Sequence, residues 1–470
     1  MTIPRQGYIA IAVILVLAVV GIVLGVVMSQ GSSKANSELS SKVAGFSSSF
    51  FRKSRTIVST ITSDPTSVTY ALSAFAIGDW GTSIARNSSC LRSSTSNHYD
   101  ISAEDVAANV MSQQANAADI SPVCVIGQGD SFYGTGMNRK RGRPASRFRR
   151  TFESNVKNDK LRTLPWVTVR GPHDYGRANF ICSHGDSAGK CSSADDLLRS
   201  LKTKFAWQST DTSPNDAPWT LDDHFHVYRI RDEARNVSMD IFNVDSGDAD
   251  VHGAKETCCQ CYGYAGGKDE KCVNIARGHD VCCGGDVDMF DRCMAQFTAW
   301  SDDSRKRLEA SIAQSAATWL VVNSYYSPYD HYAEAGMIKW FNILNGSGVH
   351  LWLNGHTHGE SHDYSSSLGI HFVDNGVVGG MPHESAGEIP TYAQKYVKKL
   401  WGYDRAEYGF FSLTVSADWL KLQYHTADDK WSYATSFNST TVGGVATKHC
   451  WYIPNDGTEG KECTSMWPAS

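Results

Sequence analysis

The chain has 470 residues, 41% of them apolar, and a formal net charge of −5. That length allows about three average domains or one elaborated domain with tails, and the apolar fraction supports a large core. So mild an acidic balance removes any global electrostatic reason to expect a nucleic-acid partner.

Tyr8 to Met28 is an unbroken run of 21 uncharged, mostly apolar residues, long enough to cross a bilayer as a helix. The sequence predicts an uncleaved transmembrane signal anchor there, with residues 1–7 as a cytoplasmic stub. A cleaved signal peptide is the rival, although its apolar region is usually about 7–15 residues. Arg5 precedes the run while Lys34 and Lys42 follow it, so the positive-inside rule alone does not orient it. Thirteen cysteines, seven of them between Cys258 and Cys293, suit an oxidising compartment. Four Asn-x-Ser/Thr triplets, at Asn87, Asn236, Asn345 and Asn438, point the same way and predict a glycoprotein. The expected topology is a single-pass type II membrane protein. Its bulk would lie outside the cell or in the lumen of the secretory or endolysosomal system.

Residues 29–68 are rich in serine and read as a tether, and a large domain is expected over 69–437. Strands are predicted at Tyr70–Ile77, Val123–Ile126, Trp166–Val169, Trp319–Val322 and Val349–Leu353, with helices beginning near Ser102 and Ser146. The strand–helix–strand alternation argues for an α/β fold built from crossover units. Further helices are expected over Asp302–Gln314 and 333–344. Beyond Gly369 the pattern turns to alternating strands, Ile370–Val373, Phe410–Val415 and Leu420–Tyr424.

Two stretches stand outside this pattern. Arg139-Lys-Arg-Gly-Arg-Pro144, followed by Arg147, Arg149 and Arg150, reads as a solvated loop entering a basic helix face, or as a rim attracting anions. The segment 253–292 reads as a disulfide-stapled insertion, with zinc binding by its cysteine clusters as the alternative. Cys182 with Cys191, and Cys450 with Cys463 in a C-terminal tail over 438–470, are expected local pairs. Cys124, inside a strand, is the expected free thiol.

Chemistry-bearing residues follow the predicted strands. Asp79 follows the first, Asp130 and Tyr133 the second, His173-Asp174 the third, Asn323-Ser-Tyr-Tyr326 the fourth and His356-Thr-His358 the fifth. Ligands converge at the carboxyl ends of strands in open α/β folds. Carboxylates, imidazoles and a phenol together suit a strongly charged metal ion. The expectation is a metal site.

Asp79-Trp-Gly81, Gly129-Asp-Ser-Phe-Tyr133, Gly171-Pro-His-Asp174 and Gly355-His-Thr-His358 resemble, in order and spacing, the motifs of the calcineurin-like metallophosphoesterases. Trp80 and Tyr133 narrow the resemblance to the purple, or tartrate-resistant, acid phosphatases. The resemblance runs from about Ser73 to Phe437, omitting the Cys-rich segment. It implies a four-layer αββα sandwich and hydrolysis of phosphate monoesters. By the same resemblance Asp79, Asp130, Tyr133 and His358 would hold a ferric ion. Asp130 would bridge to a second divalent ion (Zn, Mn or Fe) bound by His356, and His173 would donate a proton to the leaving alkoxide.

The chain also departs from that family. Pro172 stands where the family has a metal-binding asparagine, and Tyr325 where it has a second-metal histidine. Ala335 replaces a histidine often placed near the substrate phosphate, with His331 as a displaced stand-in. The first-metal set is whole while the second has lost two of its four ligands. Two functions follow: a membrane-anchored phosphatase with an altered or mononuclear centre, or a binding or scaffold ectodomain presenting its Cys-rich insertion to a protein partner.

Overall fold

The structure is a computed structural model. It describes residues 61–463 apart from 82–102, 134–135, 138–144, 154–155, 184–188, 211–218, 266–274, 377, 379–387, 404–407 and 432–442. The expected anchor at 8–28, most of the tether, the basic run 139–144 and the sequons at Asn87 and Asn438 lie outside the described residues. Among the described residues no helix is long and apolar enough to cross a membrane.

The strands are β1 (Leu72–Ile77), β2 (Pro122–Gly127), β3 (Trp166–Thr168), β4 (Trp219–Thr220), β5 (His226–Asp232), β6 (Val237–Asn243), β7 (Trp319–Asn323) and β8 (Leu351–Asn354). They continue as β9 (Glu360–Ser365), β10 (Ile370–Asn375), β11 (Lys398–Tyr403), β12 (Gly409–Val415), β13 (Trp419–Ala427), β14 (Val445–Pro454) and β15 (Lys461–Glu462). They form an eight-stranded sheet in the order β15-β14-β13-β12-β1-β2-β3-β4 and a seven-stranded one in the order β11-β9-β10-β8-β7-β6-β5. Each sheet has a parallel half, β1–β4 in the first and β6, β7, β8 and β10 in the second.

Period-two alternation explains how the sheets stack. In β1, Leu72, Ala74 and Ala76 join Ile241, Val321, Leu353 and Val373 of the other sheet in one core, while Phe75 and Ile77 point the opposite way. That opposite face is covered by helix α1 (Ala103–Ala117) through Val106, Val110 and Met111. Helices α2 (Ala194–Thr210), α3 (Ala254–Cys259), α4 (Val287–Gln314) and α5 (Glu334–Leu344) follow. The α5 helix lays Trp340 on Trp352 of β8 at 5.2 Å and Phe341 on Phe372 of β10 at 6.2 Å, outside the second sheet. Each such ring buried contributes about 1.5–3 kcal/mol. Helices therefore cover the outer faces of two stacked sheets.

Three elements differ from the sequence reading. The helix expected to begin at Asp302 begins at Val287, inside the Cys-rich stretch. Asp286 caps it by accepting from the Met289 N–H, and Met289, Phe290, Cys293 and Phe297 form its buried stripe. Cysteine at one of those positions hides the apolar period. The helix expected from Ser146 is one α-turn, Ala145–Phe148, continued as a π-helical turn over Arg149–Glu153. Residues 445–454, placed in a tail, form β14, paired along its length with β13.

Cys182–Cys191, Cys450–Cys463, Cys258–Cys293 and Cys259–Cys282 are disulfides, and Cys261 is disulfide-bonded as well. The described cysteines of the Cys-rich stretch other than Cys283 thus take the disulfide alternative, as suits an oxidising extracellular or lumenal setting. Cys124 is a buried free thiol as expected; Cys283 is a second one.

Candidate metal centre

The parallel strands of both sheets end at one place. Asp79 follows β1, Asp130 and Tyr133 follow β2, the turn Pro172–Tyr175 follows β3, Tyr325 follows β7, and His356 and His358 follow β8. Four of these residues sit in left-handed backbone, with φ of 52° at Asp79, 48° at Asp130, 80° at His356 and 49° at His358. Non-glycine residues adopt that region at a cost of about 1–3 kcal/mol each, and such strain gathers at functional sites.

Three of the four residues expected at the first ion lie side by side. The Tyr133 hydroxyl donates to Asp79 Oδ1 at 2.9 Å and lies 3.1 Å from His358 Nε2, which is 3.6 Å from Asp79 Oδ1. Three atoms so spaced surround a point about 1.9 Å from each, close to the roughly 2.0–2.2 Å reach of metal–ligand bonds. All three side chains are buried. Among the described residues no group of three or more His, Cys, Asp or Glu side chains is arranged to hold an ion. This set supplies only two of those types, and the phenol of Tyr133 completes it. Asp130, expected to bridge, is engaged elsewhere: Oδ1 accepts the His173 N–H at 2.8 Å, and Oδ2 accepts the Tyr325 hydroxyl.

That hydroxyl decides the second half. Besides Asp130, it lies 3.1 Å from Asp79 Oδ1 and 3.1 Å from His356 Nδ1. The ring is fully buried and seated against two glycines. A Cβ on Gly129 would fall 2.5 Å from Tyr325 Cδ2, and one on Gly171 would fall 2.6 Å from Cε2. Pro172 offers no donor atom beside it. The residues around the second position hold a neutral phenol where a divalent ion needs anionic or imidazole donors, so they do not fit that ion. His356 Nε2 and His331 Nδ1 are buried without hydrogen-bond partners, and the two rings are 4.7 Å apart.

Electrostatics follow from burial. Asp130 is raised well above the usual carboxylate range by desolvation and by the charges of Asp79 and Asp174. Tyr325 is raised well above the ordinary phenol value, by burial first and then by Asp130 and Asp79. His173 stacks on Tyr133 with ring centroids 4.2 Å apart. Burial, then Arg177 and His358, hold it well below the ordinary imidazole value.

Two residues shape the site beyond the expected set. Asp174 accepts the backbone N–H groups of Asp130, Phe132 and Gly171 at 2.9–3.0 Å, tying the loop after β2 to the loop after β3. Its position beside His173 was the available signal. Arg147, expected on a solvated face, is buried and donates to the Tyr133 carbonyl oxygen, which fixes the backbone at Tyr133.

No protein-family model and no curated protein sequence matches the chain. Solved structures do. GAP50, the anchor in the inner membrane complex of Plasmodium, is 12% identical over 80% of this chain and 90% of that one, with a TM-score of 0.46. PhoD is 11% identical over 86% of this chain and 73% of that one, at 0.46. Purple acid phosphatase PPD1 from yellow lupin seeds is 13% identical over 86% of this chain and 58% of that one, at 0.41. The likeness is one of fold. At these scores it assigns no activity.

Proposed function

We propose that this chain is a metallophosphoesterase-like ectodomain that no longer carries out phosphoryl transfer and serves as a binding or scaffold protein. The N-terminal apolar run would anchor it to a membrane, and the disulfide-stapled segment around α3 would face a protein partner. One observation supports this reading above the hydrolase alternative. A single neutral hydroxyl, that of Tyr325, reaches Asp79, Asp130 and His356 at once, where a two-ion mechanism needs positive charge. A pair of ions supplies a water-derived nucleophile and offsets charge on the phosphoryl oxygens. A phenol does neither. Asp79, Tyr133 and His358 would still hold one ion, iron by the resemblance of the motif, as a structural clamp.

The test joins metal analysis to turnover of a chromogenic aryl phosphate by the full-length purified protein. The expected result is at most one ion per chain and no hydrolysis above background, with activity appearing when Pro172→Asn is combined with Tyr325→His. Two bound ions with turnover of about 1 s⁻¹ or more, in the usual range of enzymes, would overturn the reading.

A further inference from the structure

Away from the strand-end cluster, three histidines form a hydrogen-bonded row across the sandwich. His362 of β9 lies at its centre. Its Nδ1 is 2.9 Å from Nε2 of His449 on β14, and its Nε2 is 2.8 Å from Nδ1 of His371 on β10. β14 belongs to the eight-stranded sheet, β9 and β10 to the seven-stranded one, so the row ties one sheet to the other. All three rings are buried. Trp401 stacks on His449 at 4.4 Å and 13°, Trp451 stands edge-on to His362 at 5.6 Å, and Tyr364 lies 4.7 Å from His371.

We propose that His362, His371 and His449 form an acid-released latch between the two sheets, closed while the rings are neutral and opened by their protonation. Each N–H···N contact needs one nitrogen with a proton and one without. Neutral rings satisfy both contacts at once. One added proton can sit on His362, donating to both neighbours, but as a buried charge. A second sets two N–H donors face to face.

The surroundings offer that charge little compensation. From β9 itself, Glu360 accepts the hydroxyl of Tyr424 on β13 at 2.9 Å. From the residue before β8 the facing group is His350, and from the turn before β15 it is the Thr458 carbonyl oxygen, near His371. β11 contributes Trp401 to the row, while its Lys398 pairs with Glu459 near the surface. Burial, with the neighbouring imidazoles, depresses His362 well below 6.5, and burial brings His371 and His449 to about 3. The folded values lie below the unfolded one. The closed form is therefore fully favoured above about pH 6.5 and loses ground as pH falls from there toward 3.

Hydrogen exchange read by mass spectrometry on segments 360–375 and 445–454 of the full-length protein, corrected for intrinsic rates, tests this. Acidification from about pH 7 to about pH 5 should raise local opening in both segments together, by at most ~10-fold per pH unit for each ring that takes a proton. The variant His362→Gln keeps a donor and an acceptor but cannot be protonated, and should lose the central ring's share of that acid response, up to ~10-fold per pH unit. Equal protection at both pH values, or an unchanged response in the variant, overturns the latch. If the variant does not fold, imidazole nitrogen shifts of the wild type decide. Three neutral rings near pH 7, charging only as strand protection falls, support the latch. A ring already charged near pH 7, or charging without loss of protection, overturns it.

Discussion

Removing one oxygen, in Tyr325→Phe, tests whether the phenol is the keystone of the strand-end cluster. The ring would stay between Gly129 and Gly171, so no cavity forms. What goes is the one group shared by Asp79 Oδ1, Asp130 Oδ2 and His356 Nδ1. A hydrogen bond to a charged partner is worth about 1.5–3 kcal/mol, and a buried polar atom left without a partner costs about 1–3 kcal/mol. The hydroxyl has a single proton, so it satisfies one carboxylate fully and the others in part; a loss of about 2–4 kcal/mol is expected. The neighbouring Tyr326→Phe is the internal control. Its hydroxyl donates once, to the His252 carbonyl oxygen at 2.7 Å, and an ordinary hydrogen bond is worth about 1 kcal/mol. Urea unfolding of wild type and both variants, with ions chelated, measures the difference. Equal losses for the two tyrosines, or wild-type stability in Tyr325→Phe, would refute the reasoning.

Iron-loaded wild type should absorb in the visible through tyrosinate-to-iron charge transfer, and Tyr133→Phe should abolish the band; a colourless iron-bound wild type removes Tyr133 from the ligand set. Asp174→Asn replaces an acceptor of three backbone N–H groups with an amide that also presents donors, so a loss of about 2–4 kcal/mol is expected, measured by thermal unfolding. His226 is depressed to about 4, chiefly by burial, and His425 to about 3 by burial and then Lys421. Their stabilisation is whole above about pH 6.5 and is lost as pH falls through that value toward 3–4. The two together should cost roughly 2–5 kcal/mol between about pH 6.5 and pH 4.5, and urea midpoints that hold steady over that window would contradict it. Cys258→Ser with Cys293→Ser opens a loop of sequence separation 35; a cost of about 4 kcal/mol is expected, with faster proteolysis in the segment before α4.

The strand ends were legible because each carries a short apolar run, a break and then a polar donor, a pattern that survives without tertiary context. The side chains of Asp79, Tyr133 and His358 lie within 3.6 Å of one another. What Tyr325 does was not legible. By the resemblance its place in the motif would belong to a histidine, but only the closeness of Gly129 and Gly171 shows that the ring turns inward rather than to solvent. Asp174 and Arg147 were hidden for a related reason. Both act on backbone groups of other loops, and a sequence shows side chains in order without showing which main-chain N–H or carbonyl they meet. β14 was missed because its register shifts where Tyr424 and His425 pair with His449 and Thr447, leaving Lys448 as an extra residue that breaks the alternation.

Strained backbone with nothing to hold it would be expected to relax, and the backbone of this site has not. Asp79, Asp130, His356 and His358 all keep positive φ, at a combined cost of about 4–12 kcal/mol. The surrounding contacts over-determine that geometry. Asp174 holds the loops after β2 and β3, the His356 N–H donates to Asp79 Oδ2 at 2.7 Å, and Tyr325 joins Asp79, Asp130 and His356 through one atom. A phenol at that point lets strained loops persist with at most one ion to hold them. On the proposed reading it also stands where a second ion would. The residue that stabilises the fold of the site is on this account the residue that silences it, so stability and activity should move in opposite directions when position 325 is changed together with Pro172.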